Sequence, residues 1–173
     1  MSFILLFIFF SSINLNSQIE LNNLFSDNMV LQQESHVNLW GKAQKNQELL
    51  IYTSWSGKIQ KTTVNNDGNW KIKIKTPSAG GPFNIQITCN NETKTINNIL
   101  IGEVWLSSGQ SNMEMTLSGN NREPVIGSLD AIANSNNSKI RFFNVKTRIS
   151  KERVDKIEGK WVEANFKNTP NFS

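Results

Sequence analysis

The run Gly109-Gln-Ser-Asn-Met113 holds the residue types best suited to covalent chemistry in this chain. A serine on a sharp, glycine-assisted turn holds its hydroxyl clear of the backbone. Nearby N–H groups can then stabilise the oxyanion that forms when the hydroxyl attacks an ester carbonyl. The run follows Ile99-Leu-Ile-Gly-Glu-Val-Trp-Leu106, which is nearly continuous in apolar residues. Reactive groups of α/β folds sit at the carboxyl end of such strands. The spacing approaches the G-x-S-x-G nucleophile elbow, but Met113 stands where the second glycine would be. A purely structural reading competes. Ser111 with Glu114 three positions on is also a capping box, S-x-x-E, in which the hydroxyl only caps a helix. Residue types alone leave both readings open, with spacing favouring the cap.

A nucleophilic serine needs a base, and the chain has one histidine. That residue, His36, lies far upstream between Ser35 and Val37 on the approach to a strand, and reads as a surface histidine. The carboxylates Glu103, Glu114, Asp130 and Asp155 fall on different predicted elements with no shared signature, so surface or capping roles fit them better than an acid/base pair. The one cysteine, Cys89, rules out an internal disulfide and a Cys-rich zinc site, and its apolar phase places it in the core. No glycine-rich phosphate loop or metal-ligand cluster is present, so no cofactor or metal is expected. A net charge of +4 and a pI near 9.3 raise the question of a polyanion partner. The lysines, however, are spread singly (Lys71, Lys73, Lys75) along what reads as a solvated strand face. Nucleic acid is therefore not an expected partner. Asn91-Glu-Thr93 matches a glycosylation sequon, of the kind that arises by chance in so asparagine-rich a chain.

The elements that must position Ser111 fall into three stretches. Phe3 to Phe10 is a short, unbroken apolar run followed by small polar residues. Its length suits a signal-peptide core rather than a membrane span. Residues 1–17 are expected to be a leader, the mature chain to begin near Gln18 or Ile19 in a secreted or periplasmic setting, and no stable membrane anchor is expected. From about Leu24 to Leu100 the pattern has period two, as in Trp70, Ile72 and Ile74 alternating with lysines. Phe83, Ile85, Ile87 and Cys89 likewise alternate with Asn84, Gln86 and Thr88. Turn residues bound the runs at Gly41, Ser56-Gly57, Asn65 to Gly68 and Pro77 to Pro82. This predicts an all-β sandwich over residues 18–98. Beyond it, the apolar strand from Ile99, a helix over Pro124–Ala133 with Val125, Ile126, Leu129 and Ile132 on one side, and a strand over Lys139–Val145 predict one opening βαβ unit. Residues 99–173 then form the incomplete start of an α/β domain, ending in an irregular stretch from Gly159 to Ser173.

Ser26-Asp-Asn-Met-Val-Leu-Gln32, Trp40-Gly41, Asp67-Gly-Asn-Trp70, Gly80-Gly-Pro-Phe83 and Ile101 through Met115 occur in that order. Together they resemble the sialate O-acetylesterase family of SGNH-type hydrolases, over nearly all of the chain beyond the leader. Gly159-Lys-Trp-Val162 followed by Phe172-Ser173 resembles the family's stretch after its second strand. The resemblance implies a serine esterase removing O-acetyl groups from sialic acid or a related acetylated sugar. By it, Ser111 matches the nucleophile and a backbone oxyanion donor, while Gln110 and Asn112 shape the turn. It also implies further oxyanion donors in later blocks, and a basic histidine in an Asp-x-x-His motif. No histidine follows Ser111 here. The 173-residue chain is therefore expected to match an N-terminal portion of the family and to be inactive alone.

A different class of function is open too: a secreted, non-catalytic sandwich module binding carbohydrate or a protein partner. Exposed Trp55 and Tyr52 would form its sugar platform, although core packing is the commoner fate of such rings. DNA translated past Ser173 separates the two, since an in-frame Asp-x-x-His supports the esterase. Acetylxylan or another acetylated sugar is the competing substrate within the esterase class. Nothing in the residues sets an oligomeric state.

Overall fold

The computed structural model describes residues 18–119, 123–152 and 154–172, and the expected leader, residues 1–17, lies outside them. The chain is mostly β. Strands β1 (Glu20–Leu21), β3 (His36–Lys42) and β6 (Asn69–Lys75) form one antiparallel sheet in the order β1-β3-β6. Five more strands form a second sheet: β2 (Val30–Gln32), β4 (Glu48–Thr53), β5 (Lys58–Thr63), β7 (Gly80–Cys89) and β8 (Glu92–Gly102). Their order is β2-β8-β7-β4-β5.

The period-two pattern explains why these segments are strands. Side chains alternate across a pleated sheet, so every second residue is driven out of water. In β6, Trp70 and Ile74 are buried while Lys71, Lys73 and Lys75 are exposed. In β4, Leu49, Ile51 and Thr53 are fully buried between Leu50 and Tyr52 on the outer face. The inward residues of both sheets, among them Leu39, Ile74, Leu49, Ile51, Ile85, Ile87 and Ile99, belong to one apolar core. Cys89 is buried in it, and burial pushes its thiol pKa up. Gly41 is no turn residue. It lies inside β3, where β1 passes so close that a Cβ would run into the carbonyl oxygen of Glu20.

The expected βαβ unit is not formed by the described residues. Ile99 to Gly102 are the last residues of β8, inside the five-stranded sheet, and from Glu103 to Leu106 the chain leaves all strands. Val104, Trp105 and Leu106 are 44%, 87% and 92% exposed, so the two-sided cover expected of a parallel central strand is absent among the described residues. The helix is short, α1 (Ser128–Ala133), and its apolar residue Leu129, with Ile126 just before it, faces solvent. Strand β9 (Asn137–Phe143) falls close to the expected position. It pairs with no part of β8; its partner is β10 (Trp161–Ala164), antiparallel, in a stretch whose mixed residues read as irregular. Among the described residues no helix is long and apolar enough to cross a membrane.

The β9–β10 pair rests against the first part of the chain through polar contacts. Trp161 Nε1 donates to the carbonyl of Leu24 (2.9 Å), and Asn22 Nδ2 to the carbonyl of Asp155 (2.6 Å). Arg141 of β9 reaches Asn98 of β8 at 3.5 Å, and Asn98 Nδ2 donates to Asn28 Oδ1 at 2.6 Å.

Candidate active site

The segment carrying Ser111 starts from a parallel pairing between two distant parts of the chain. Val30, Leu31 and Gln32 of β2 lie beside Leu100, Ile101 and Gly102 of β8. The residues before β2 fasten this register. Met29 is fully buried and its carbonyl accepts the N–H of Leu100 (3.0 Å), while the Asp27 carboxylate accepts the N–H of Asn97 (2.7 Å). The Ser26–Gln32 wording is thus a guide rail for the strand that leads to the serine.

Where β8 ends, Glu103 is gripped from β2. Its two carboxylate oxygens accept from Gln32 Nε2 (2.9 Å) and Gln33 Nε2 (2.6 Å). These bonds, Gln32 first, hold the Glu103 carboxyl below its ordinary pKa, because both donors favour the ionised form. The amide oxygen of Gln32 accepts the N–H of Val104 (2.9 Å), and that of Gln33 accepts the N–H of Ala79 (2.8 Å).

Residues 105–109 then run without a strand to a single 3₁₀ turn, Ser111–Met113. Met113 N–H donates to the carbonyl of Gln110 (2.8 Å) and Glu114 N–H to that of Ser111 (3.0 Å). Gln110 therefore shapes the turn through its main chain. A Cβ on Gly109 would come within 2.6 Å of Met113 Cγ, so the turn is built tightly against that position.

The capping-box reading is corrected here. Ser111 is the first residue inside the turn, the N-cap position is Gln110, and no side chain caps the turn. Gln110, Ser111 and Asn112 are all exposed. Among the described residues the Ser111 hydroxyl has no hydrogen-bond partner, and the N–H groups of Ser111 and Asn112 donate to no carbonyl, as expected at the start of a helical turn. The arrangement thus presents an exposed hydroxyl on a turn whose first two N–H groups are open, the kind of donor that can take part in holding an oxyanion.

Downstream, the segment is held again. Leu117 N–H donates to the carbonyl of Phe172 (2.9 Å) and Ser118 N–H to that of Pro170 (3.0 Å). Phe172 stacks on Phe142 with ring centroids 4.2 Å apart. These rings border a cavity of about 420 Å³ whose other walls include Asn144, Lys160, Val162 and Asn168.

Among the described residues no base is hydrogen-bonded to the serine hydroxyl. His36 is exposed at the start of β3, opposite Lys75. Asp130 lies in the first turn of α1 and Glu103 is committed to the glutamines. Among the described residues no group of three His, Cys, Asp or Glu could hold a metal ion. The two rings of the expected sugar platform are separated. Trp55 packs against the core, edge-on to Phe83, and its Nε1 donates to the carbonyl of Lys75, whereas Tyr52 lies on the outer face of β4 beside Leu50.

The residues that sequence reasoning missed are Gln32 and Gln33. Gln32 closes the Ser26–Gln32 run, but nothing local connects it to Glu103, 71 positions away.

No family model matches the chain. Sialate O-acetylesterase from Mus musculus is 31% identical over 139 residues, which is 75% of this chain and 25% of the mouse protein. The Rattus norvegicus sialate O-acetylesterase is 35% identical over 99 residues, covering 51% of this chain and 18% of the rat protein. The chain thus spans about a quarter or less of the curated relatives it matches. A crystal structure of a carbohydrate acetylesterase from Xanthomonas citri superposes with a TM-score of 0.80 at 26% identity, over 90% of this chain and 34% of that one.

Proposed function

We propose that this chain, which belongs to the sialate O-acetylesterase family, carries the nucleophile of a serine esterase that removes O-acetyl groups from sialic acid or a related acetylated sugar. The observation behind this reading is the exposed Ser111 hydroxyl on a tight turn at the exit of β8, with two backbone N–H groups open beside it.

In the reaction, the Ser111 oxygen attacks the acetyl carbonyl and its proton passes to a base. The tetrahedral oxyanion is held by the N–H of Ser111 and by donors outside this segment. Collapse of that intermediate breaks the bond to the sugar oxygen, which leaves protonated, and water then releases acetate from the acetyl-serine. The cavity beside Phe172 is lined by apolar side chains (Phe142, Val162, Phe172), asparagines, two lysines and Glu158, a mix of apolar and hydrogen-bonding groups suited to a sugar ring.

The base is the missing part. With no histidine after Ser111, the hydroxyl is a poor nucleophile at neutral pH, so the 173-residue chain does not turn over substrate alone. Export by residues 1–17 belongs to the same proposal.

Hydrolysis of 4-nitrophenyl acetate by the purified chain tests the incompleteness. The rate should equal that of the Ser111→Ala variant and of buffer. A Ser111-dependent rate would overturn it.

A further inference from the structure

The Ser111 segment has two attachments and little between them. Among the described residues, none of the backbone N–H groups from Trp105 to Asn112 donates to a carbonyl. The downstream attachment is main chain to main chain, at Leu117 and Ser118. The upstream one is different in kind, because side chains reinforce a main-chain bond. Gln33 N–H donates to the carbonyl of Gly102 (2.8 Å), Gln32 Oε1 accepts Val104 N–H (2.9 Å), and the Glu103 carboxylate between them takes one bond from each glutamine. Gln33 is itself braced by Ala79 N–H at 2.8 Å, which ties it to the start of β7.

Resting on the reading of Ser111 as nucleophile, we propose that Glu103, held by Gln32 and Gln33, is a positioning residue that fixes the direction in which the serine segment leaves β8. Three observations carry this. Sheet pairing between β2 and β8 stops at Gln32–Gly102. The exposed apolar residues Val104 to Leu106 give no packing that would hold the segment to the described part of the chain. A bidentate carboxylate is geometrically demanding, so it restricts the turn in the chain at residue 103 in a way one bond does not. Angular error there is amplified at Ser111, eight residues on, and catalysis is sensitive to displacements of about 1 Å. Glu103 touches no reacting atom in this scheme.

The test uses the 173-residue chain, a nitroxide on Ser111→Cys, and amide hydrogen exchange. Cys89 is buried, which leaves position 111 as the accessible thiol. In Glu103→Ala, the Val104 amide should exchange about tenfold faster, the factor that follows from losing roughly one net hydrogen bond. The nitroxide spectrum should sharpen, while the Leu100 amide, bonded to Met29, keeps its wild-type rate. Glu103→Gln, which retains one acceptor oxygen, should fall between. Gln33→Ala removes the shorter bond from the other side and should reproduce the Glu103→Ala result if that variant does not fold. An unchanged nitroxide spectrum overturns the proposal. So does parallel acceleration at Leu100, which would mean that Glu103 merely stabilises the β2–β8 pair. Neither readout needs the Ser111 hydroxyl, so a failed nucleophile assignment would leave these results intact.

Discussion

Arg141 and Glu163 stand directly opposite each other across the β9–β10 pair and form an ion pair in which the arginine side chain is only 3% exposed. The guanidinium also reaches Asn98 of β8, so the ion pair joins the β9–β10 pair to the five-stranded sheet. Hydrogen bonding and charge from Arg141 hold the Glu163 carboxyl below its ordinary pKa. A carboxyl with a lowered folded-state pKa adds stability that is present above its unfolded value and is lost as pH falls through the folded one. Melting temperature should therefore stay level from neutral pH down to the ordinary carboxylate range, then drop. Glu163→Gln should lower the neutral-pH melting temperature and flatten the acid limb. Thermal melts of both proteins between about pH 7 and pH 3 check this; parallel curves contradict it.

The shared core of the two sheets should be equally testable. Ile87 is fully buried, and its strand partner Ile51 is too. Ile87→Ala should cost about 2–5 kcal/mol, through lost transfer energy and the cavity left behind. Urea denaturation reads this directly, and a loss below about 1 kcal/mol would mean that the site collapses around the gap.

Two glycines make a matched pair. A Cβ on Gly41 would strike the Glu20 carbonyl, which is backbone and cannot swing aside, whereas a Cβ on Gly102 meets nothing within 4 Å. Gly41→Ala should destabilise by about 1–3 kcal/mol as β1 is pushed off β3, and Gly102→Ala should be close to neutral. Similar effects from the two would show that β1 adapts.

What could be read in advance was whatever is local. The alternation of Trp70, Ile72 and Ile74 with lysines states its own geometry, because a strand's two faces are written in adjacent residues. Pairing is not local. The parallel match of Val30–Gln32 with Leu100–Gly102 joins residues 70 apart, and it turned an apparent new strand from Ile99 into the end of an old one. Strand β10 was missed because four residues, Trp161 to Ala164, are too few to display a period. At the site, the residue types of Gly109–Met113 were visible, but cap and nucleophile share one spacing. Only the coordinates distinguish a serine inside the turn from one capping it. The grip on Glu103 was invisible for a simpler reason: glutamine and glutamate occur on any surface.

Ser111 is proposed to occupy the position of an acetylesterase nucleophile. The most direct test is a chimera in which this chain replaces the matching quarter of the mouse sialate O-acetylesterase, assayed for acetate release from O-acetylated sialic acid. Hydrolysis should fall on the order of a thousandfold or more in Ser111→Ala, as expected when a covalent nucleophile is removed. A folded, active chimera whose rate is unchanged by Ser111→Ala would contradict it.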